Sequence, residues 1–287
     1  MRLKEALRSA REVLSSQNME DAHLEAELLL RHILGINRAQ FYADQEKELT
    51  TQQSQAYQSL VQRRLSGEPT AYILGKREFY GLDFYVDRRV LIPRPDSELL
   101  VDKTLEFAGK NLNVSHLFIA DVGTGCGNLA ISLAVHLPQT QIYASDISQA
   151  ALEVAAINCQ HHNVSQRIHL LQGYLLEPLP VRVLIIVANL PYVKDKELAE
   201  LEPNVRDFEP RLALAGGSQG LDYIAELLSQ APGKLSQGGA VFIEIGEEQG
   251  TAAIALARKH FPQSEACLYP DLSGIDRVLA VYLQPTQ

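Results

Sequence analysis

The sequence predicts an α/β fold: a doubly wound, mostly parallel sheet of seven strands, preceded by a small helical N-terminal domain. Three observations predict it. Apolar residues recur at helical spacing through roughly the first 70 residues. From Asp96 onward, helix-period and strand-period segments alternate, as in a parallel sheet covered by helices. Among them, FIADVGTGCGNLAISLA (118–134) reads as strand, glycine loop and helix, and such folds bind ligands beyond the carboxyl ends of their strands.

The elements follow in order. Leu3, Ala6, Leu7 and Ala10 mark a first helix, and Ala22, Ala26, Leu29 and Leu30 a second that ends at Gly35. A third runs near Thr50–Leu65 and stops at Gly67, with Pro69 beyond. Residues 77–80 and 83–86 then suggest a hairpin turning at Gly81-Leu82. Ile92-Pro93-Arg94-Pro95 reads as a stiff linker, because each proline fixes its own φ and extends its predecessor. The expected organisation is therefore a helical domain 1–75, a hairpin and linker 76–95, and a catalytic domain 96–287. In the last, helices are expected at 97–108, 127–136, 149–160, 220–230 and 248–259. Strands are expected at 116–122, 141–146, 167–172, 182–188, 239–245, 265–269 and 276–283.

Composition narrows the class. A 46% hydrophobic, 21% charged chain of 287 residues has material for a full core. No stretch approaches the roughly 20 apolar residues of a membrane span, and the first residues read as an amphipathic helix, not a signal peptide. Cys126, Cys159 and Cys267 are too scattered for a disulfide framework or a zinc site, so no metal and a reducing cytoplasm are expected. The net charge of −9 lowers the expectation of a phosphate-backbone partner.

Gly123, Gly125 and Gly127 let the backbone turn sharply and approach a ligand, although a plain tight turn has the same composition. Asp146 ends the next strand, where a carboxylate can take both hydroxyls of a ribose or cap the following helix. No Walker-type lysine accompanies the loop, so a nucleoside without a triphosphate fits best. The third signal is VANLPYV (187–193) at the end of an apolar strand. A carboxamide, a stiffened backbone and a ring at a strand tip suit the holding of a planar amide. Asn189 Oδ1 and the Leu190 carbonyl are two acceptors for two N–H bonds. Pro191 fixes where that carbonyl points, and Tyr192 can wall the amide plane. His161-His162 read as partners of a helix C-terminus, and Cys126 as packing. Glu209-Pro210-Arg211 reads equally as a substrate lid or a solvated pair, and Arg94 as a ligand contact or a domain-locking ion pair.

In these residues the chain resembles the class I S-adenosylmethionine-dependent methyltransferases of Rossmann-like fold. Within them it resembles closely the release-factor glutamine N5-methyltransferases. GEPTAYILGKREFYGLDFYV, LIPRPDSELLV, DVGTGCG, VANLPYV, FEPRLALAGG and DLSGIDRV occur in that family's order. The resemblance implies that Gly123, Thr124, Gly125, Cys126 and Gly127 cradle S-adenosyl-L-methionine, that Asp146 holds its ribose, and that Tyr174 lines the adenine pocket. It implies that Asn189, Leu190, Pro191 and Tyr192 grip the glutamine of the Gly-Gly-Gln motif in class I peptide chain release factors. Three positions depart from the family pattern: Leu190 for a first proline, Tyr174 for an aspartate, and Ile275 for an arginine. Two other readings stand beside it. Asn-Leu-Pro-Tyr also occurs in adenine N6-methyltransferases acting on RNA or DNA, and a silent adaptor could keep the fold without the chemistry.

Overall fold

The computed structural model describes residues 1–284 apart from 18, 20 and 111–116. The chain divides into two compact units, Met1–Lys76 with Pro203–Phe208, and Arg77–Glu202 with Glu209–Gln287.

The first unit is helical: α1 (Leu3–Ser15), α2 (Ala22–Leu34), α3 (Arg38–Ala43), α4 (Thr51–Leu65) and α5 (Thr70–Leu74). The apolar stripes of α1 and α2 face one another, with Leu3, Leu7, Leu14, Leu29 and Leu30 all buried. Gly35 ends α2 in the left-handed region at φ 63°. Thr50 and Gln53 form a reciprocal capping box on α4, and Asn37 and Gln40 form another on the short α3.

The second unit opens with β1 (Arg77–Phe79) and β2 (Leu82–Phe84). The turn is Tyr80-Gly81, one residue earlier than expected, with both residues at positive φ as a two-residue hairpin requires. Tyr80 tolerates this because Glu98 accepts its N–H and Asp102 its hydroxyl. The expected linker is not a spacer. Tyr85 exchanges backbone bonds with Asn158, and Ile92 N–H donates to Glu209, so the hairpin and proline segment pack within this unit.

The sheet comprises β3 (Phe118–Val122), β4 (Gln141–Asp146), β5 (Ile168–Gln172), β6 (Val183–Ala188), β7 (Leu235–Glu244), β8 (Glu265–Pro270) and β9 (Asp276–Tyr282). Residue 116, the expected start of its first strand, lies outside the described residues. Strand order is β5-β4-β3-β6-β7-β9-β8, with β9 antiparallel to both neighbours and the first five strands parallel. The helices of this unit are α6 (Glu98–Lys110), α7 (Asn128–His136), α8 (Gln149–His161), α10 (Asp222–Lys234) and α11 (Gly250–His260), while α9 (Pro203–Arg206) belongs to the first unit.

Both faces are covered. Val241 and Ile243 join one apolar cluster with Leu227, Leu228 and Ala253, while Phe242 between them meets Phe107 of α6, 6.0 Å between centroids. β7 begins earlier than expected because Gly238-Gly239 does not break it: the register shifts against Val183 and Ile185, and the strand passes through an irregularity.

Candidate active site

The sheet order reverses between β3 and β6, the place where ligands bind in doubly wound folds. Val122 pairs with Ala188, so the glycine loop and Asn189 leave the sheet side by side. Over these strand ends opens a cleft, about 1100 Å³ of space free of protein atoms counting the open solvent at its mouth. Gly123, Thr124, Gly125, Cys126, Asp146, Tyr174, Asn189, Leu190 and Pro191 line it.

The glycine loop is tied to β4 by backbone. Gly123 and Thr124 N–H both donate to the Ser145 carbonyl, at 2.8 and 3.0 Å. Asp146 accepts from Gly125 N–H at 2.9 Å through one carboxylate oxygen and from Ser148 N–H at 2.8 Å through the other. Ser148, not Asp146, caps α8. Burial raises the Asp146 pKa, and its backbone donors oppose that rise. Beneath the loop, Asp121 is fully buried; one oxygen takes Thr124 Oγ1–H and Ala130 N–H, and the other has no partner. Burial pushes its pKa up to about 7. At Gly125 φ is +55°, and an added Cβ would meet no atom within 4 Å, so the loop faces open space. An open cradle, a wall carboxylate and an unsatisfied buried carboxylate below suit a cationic nucleoside such as S-adenosylmethionine.

Asn189 Nδ2–H donates to Ser97 Oγ at 2.9 Å. The Leu190 side chain is buried in the sheet core and lies 3.1 Å from where a Gly123 Cβ would be. The leucine at this position fills core space. Among the described residues, no hydrogen bond ends on the Leu190 carbonyl. Tyr192 departs from the expected wall: it does not line the cleft. Past Pro191 the chain zips onto the 214–216 loop, with Val193 N–H on Leu214 O and Gly216 N–H on Val193 O. That turns the phenol toward Glu244 Oε1, at 3.2 Å. Gly127 also lies outside the lining; at φ +84° it starts α7 and lets the loop pack against Ile131 and Ala155.

Tyr174 lines the cleft near Tyr223, 6.4 Å between centroids. Cys126 is a buried thiol whose pKa burial raises to about 12, which suits packing rather than nucleophilic chemistry. Arg94 lines the cleft and also pairs with buried Glu209 at 2.6 Å, so Glu209 is not the solvated alternative. Ile275 sits in the β8–β9 turn, where Asp271 binds its N–H, while Arg277 pairs with Asp271 at 3.0 Å. His161 lies in the last turn of α8, and His162 reaches the Asp83 carbonyl.

Three buried polar residues around the site escaped sequence reasoning. Ser97 reads as an ordinary helix-start residue. Glu244 carried the one usable signal, a carboxylate ending a wholly apolar strand. Gln249 Nε2–H bonds the Tyr192, Gly220 and Gln219 carbonyls from a helix start with no such signal.

Residues 5–75 match the family model described as the PrmC N-terminal domain, and residues 97–203 that of the methyltransferase small domain. A release factor glutamine methyltransferase from Moorella thermoacetica is 40% identical, covering 98% of this chain and 99% of its own length. Another so described, from Bordetella pertussis, is 40% identical over 91% of this chain and 94% of its own. Among solved structures, a T. thermophilus 16S rRNA N2 G1207 methyltransferase in complex with AdoMet and guanosine is similar at TM-score 0.51. It is 16% identical and the match covers 73% of this chain and 50% of that one, a likeness of fold alone. Identity at this level along nearly the entire length makes the chain a member of the release factor glutamine methyltransferase family.

Proposed function

We propose that this protein methylates the side-chain amide nitrogen, N5, of the glutamine in the Gly-Gly-Gln motif of class I peptide chain release factors, acting in the cytoplasm. The observation that carries the reading is the pair of acceptors at the β6 tip beside the glycine loop. Asn189 commits its Nδ2 to Ser97, which frees Oδ1 to accept, and the neighbouring Leu190 carbonyl is not engaged. Two acceptors held by one stiff dipeptide match the two N–H bonds of a carboxamide.

Residues Gly123–Cys126, Asp146 and Tyr174 would hold S-adenosylmethionine, which supplies an electrophilic methyl group on a sulfonium. Gly125 offers the close approach, Asp146 the hydroxyl acceptor, and Tyr174 a ring at the cleft wall. Asn189 and Leu190 fix the amide so that its nitrogen presents the face not occupied by hydrogens. Pro191 restricts Leu190 to extended geometry and contributes no competing N–H. Tyr192 supports the motif from behind through Glu244 rather than touching the amide plane. An amide nitrogen is a weak nucleophile, so orientation carries the catalysis; good alignment can supply ~7–11 kcal/mol of the barrier.

The test is incubation of the protein with methyl-labelled cofactor and a purified release factor. Label is expected on the motif glutamine, located by mass spectrometry, and absent from a Gln→Asn release factor. Equal labelling of both would reject the reading. The adenine N6 alternative rests on the shared Asn-Leu-Pro-Tyr motif alone, and transfer to RNA or DNA in the same assay would favour it.

A further inference from the structure

Resting on that reading, we propose that Gln249 is a positioning residue for methyl transfer: its side-chain amide clamps the Tyr192 carbonyl and so fixes the direction in which Asn189 and Leu190 present their two acceptors.

The observation is a convergence of carbonyls. Gln219 and Gly220, in the loop before α10, bring their peptide oxygens to the same place as that of Tyr192, and each needs a donor. Gln249, 4% exposed and set just before α11, supplies it. Its Nε2 lies 3.0 Å from Tyr192 O, 3.2 Å from Gly220 O and 3.3 Å from Gln219 O. On the other edge, Gly246 N–H donates to Oε1 at 2.8 Å. The amide therefore has one workable orientation. Reversed, its oxygen would face three oxygens and its NH2 a peptide N–H. Gly220 leaves room for this approach: at φ +71°, an added Cβ would lie 2.5 Å from Gln249 Nε2.

What the clamp does follows from peptide geometry. The Tyr192–Val193 peptide is planar, and both of its polar groups are held. Gln249 takes the carbonyl, and Leu214 O takes the Val193 N–H at 3.0 Å. A plane fixed at two edges does not rotate. At the other end of the motif, Ala188 pairs with Val122 and with Ile243. Between these anchors Pro191 fixes its own φ and keeps Leu190 extended. Few torsions remain, so the Leu190 carbonyl and the Asn189 side chain point where the two anchors send them. Gln249 itself lies outside the cleft lining and acts through the motif.

Two substitutions separate a clamp from mere packing. Leucine fills similar space without a donor, whereas glutamate keeps the shape and brings a carboxylate against three carbonyl oxygens. Protonated, that glutamate retains one O–H for Tyr192 and one oxygen for Gly246 N–H.

The experiment measures methyl transfer to the release factor for wild type, Gln249→Leu and Gln249→Glu across pH, with folding checked by circular dichroism and cofactor affinity by calorimetry. Gln249→Leu is expected to lower kcat and kcat/KM together about 10- to 100-fold, the scale of a misplaced reacting group, while cofactor affinity stays within about threefold. In Gln249→Glu the rate relative to wild type should be highest at acid pH. It should fall about tenfold or more as the buried carboxyl ionises, between about pH 6 and about pH 10. Should Gln249→Leu fail to fold, this ratio decides, because a residue that only packs gives a flat one. Wild-type kcat in folded Gln249→Leu, or a flat ratio in Gln249→Glu, overturns the assignment. A second measurement needs no substrate: the Asn189 side-chain NH2 resonances should differ between wild type and either folded variant at alkaline pH. Identical resonances refute the clamp whatever the substrate, and a release factor left unlabelled by the wild type refutes the substrate reading instead.

Discussion

Asp146→Asn is the sharpest perturbation of the cofactor side. The substitution keeps the size of the side chain and removes one acceptor. Two backbone donors, Gly125 N–H at 2.9 Å and Ser148 N–H at 2.8 Å, each claim one carboxylate oxygen. Asparagine has a single carbonyl oxygen, so one of the two must face an NH2 group. A donor left unsatisfied costs about 1–3 kcal/mol when buried, and Asp146 is only partly so, which favours the lower half of that range. At roughly 2–4 °C per kcal/mol for a domain of this size, Tm should fall by about 2–8 °C. The second effect is on the ligand. A hydroxyl bonded to a carboxylate is worth about 1.5–3 kcal/mol, so the Kd for S-adenosylmethionine should rise about 10- to 150-fold. Thermal unfolding without ligand reads the first effect, and calorimetric titration reads the second. A lower Tm with affinity changed less than about threefold would mean that Asp146 merely clamps the loop, and the ribose assignment would be withdrawn.

Asn189→Ala should leave cofactor affinity unchanged and lower transfer by about 10²-fold or more, measured as single-turnover label incorporation. Gly220→Ala should damage the motif from outside the cleft: φ is +71°, and the new Cβ would lie 2.1 Å from the Tyr192 carbonyl oxygen, so kcat falls and Tm drops by several degrees. Arg94→Ala strands buried Glu209; breaking a buried pair costs about 3–5 kcal/mol, discounted here to about 1–3 because Arg94 is a third exposed, and thermal unfolding checks it. Asp121 and Glu244 both have folded pKa values near 7, raised by burial above their unfolded values. Their contribution to stability is therefore present below the unfolded carboxylate range and is lost as pH rises through about 7. Tm should decline between pH 5 and pH 8, and Asp121→Asn with Glu244→Gln should flatten that decline.

Most of the fold was legible because its signals are local. The apolar run Val183–Ala188 is buried at every position, as a central parallel strand must be, and needs no knowledge of its neighbours to be recognised. The stripes of α1 and α2 are likewise periodic in the sequence. Boundaries failed where distant contacts override a local rule. The strand expected at 239–245 begins four residues earlier, because β6 pairs with it on both sides of Gly238-Gly239, at Leu235 and at Ala240. The proline segment reads as a linker, yet Glu209, more than a hundred residues away, binds the Ile92 N–H and Arg94.

The site divides the same way. Gly125, Asp146 and Asn189 were readable because strand tip, loop and helix start are contiguous in the chain, and the sheet rule says which edge they reach. Whether Tyr192 faces a ligand or a carboxylate was not readable, because it depends on the 214–216 loop and on Glu244, which the fold alone brings near. Sequence by itself determined which chemical groups sit at the strand ends, since residue type and local period are properties of neighbours along the chain. Only the tertiary structure decided which edge of the Asn189 amide is free. That orientation is set by Ser97, 92 residues away in the sequence, whose hydroxyl reaches the Asn189 amide only once the segment before α6 lies beside the end of β6.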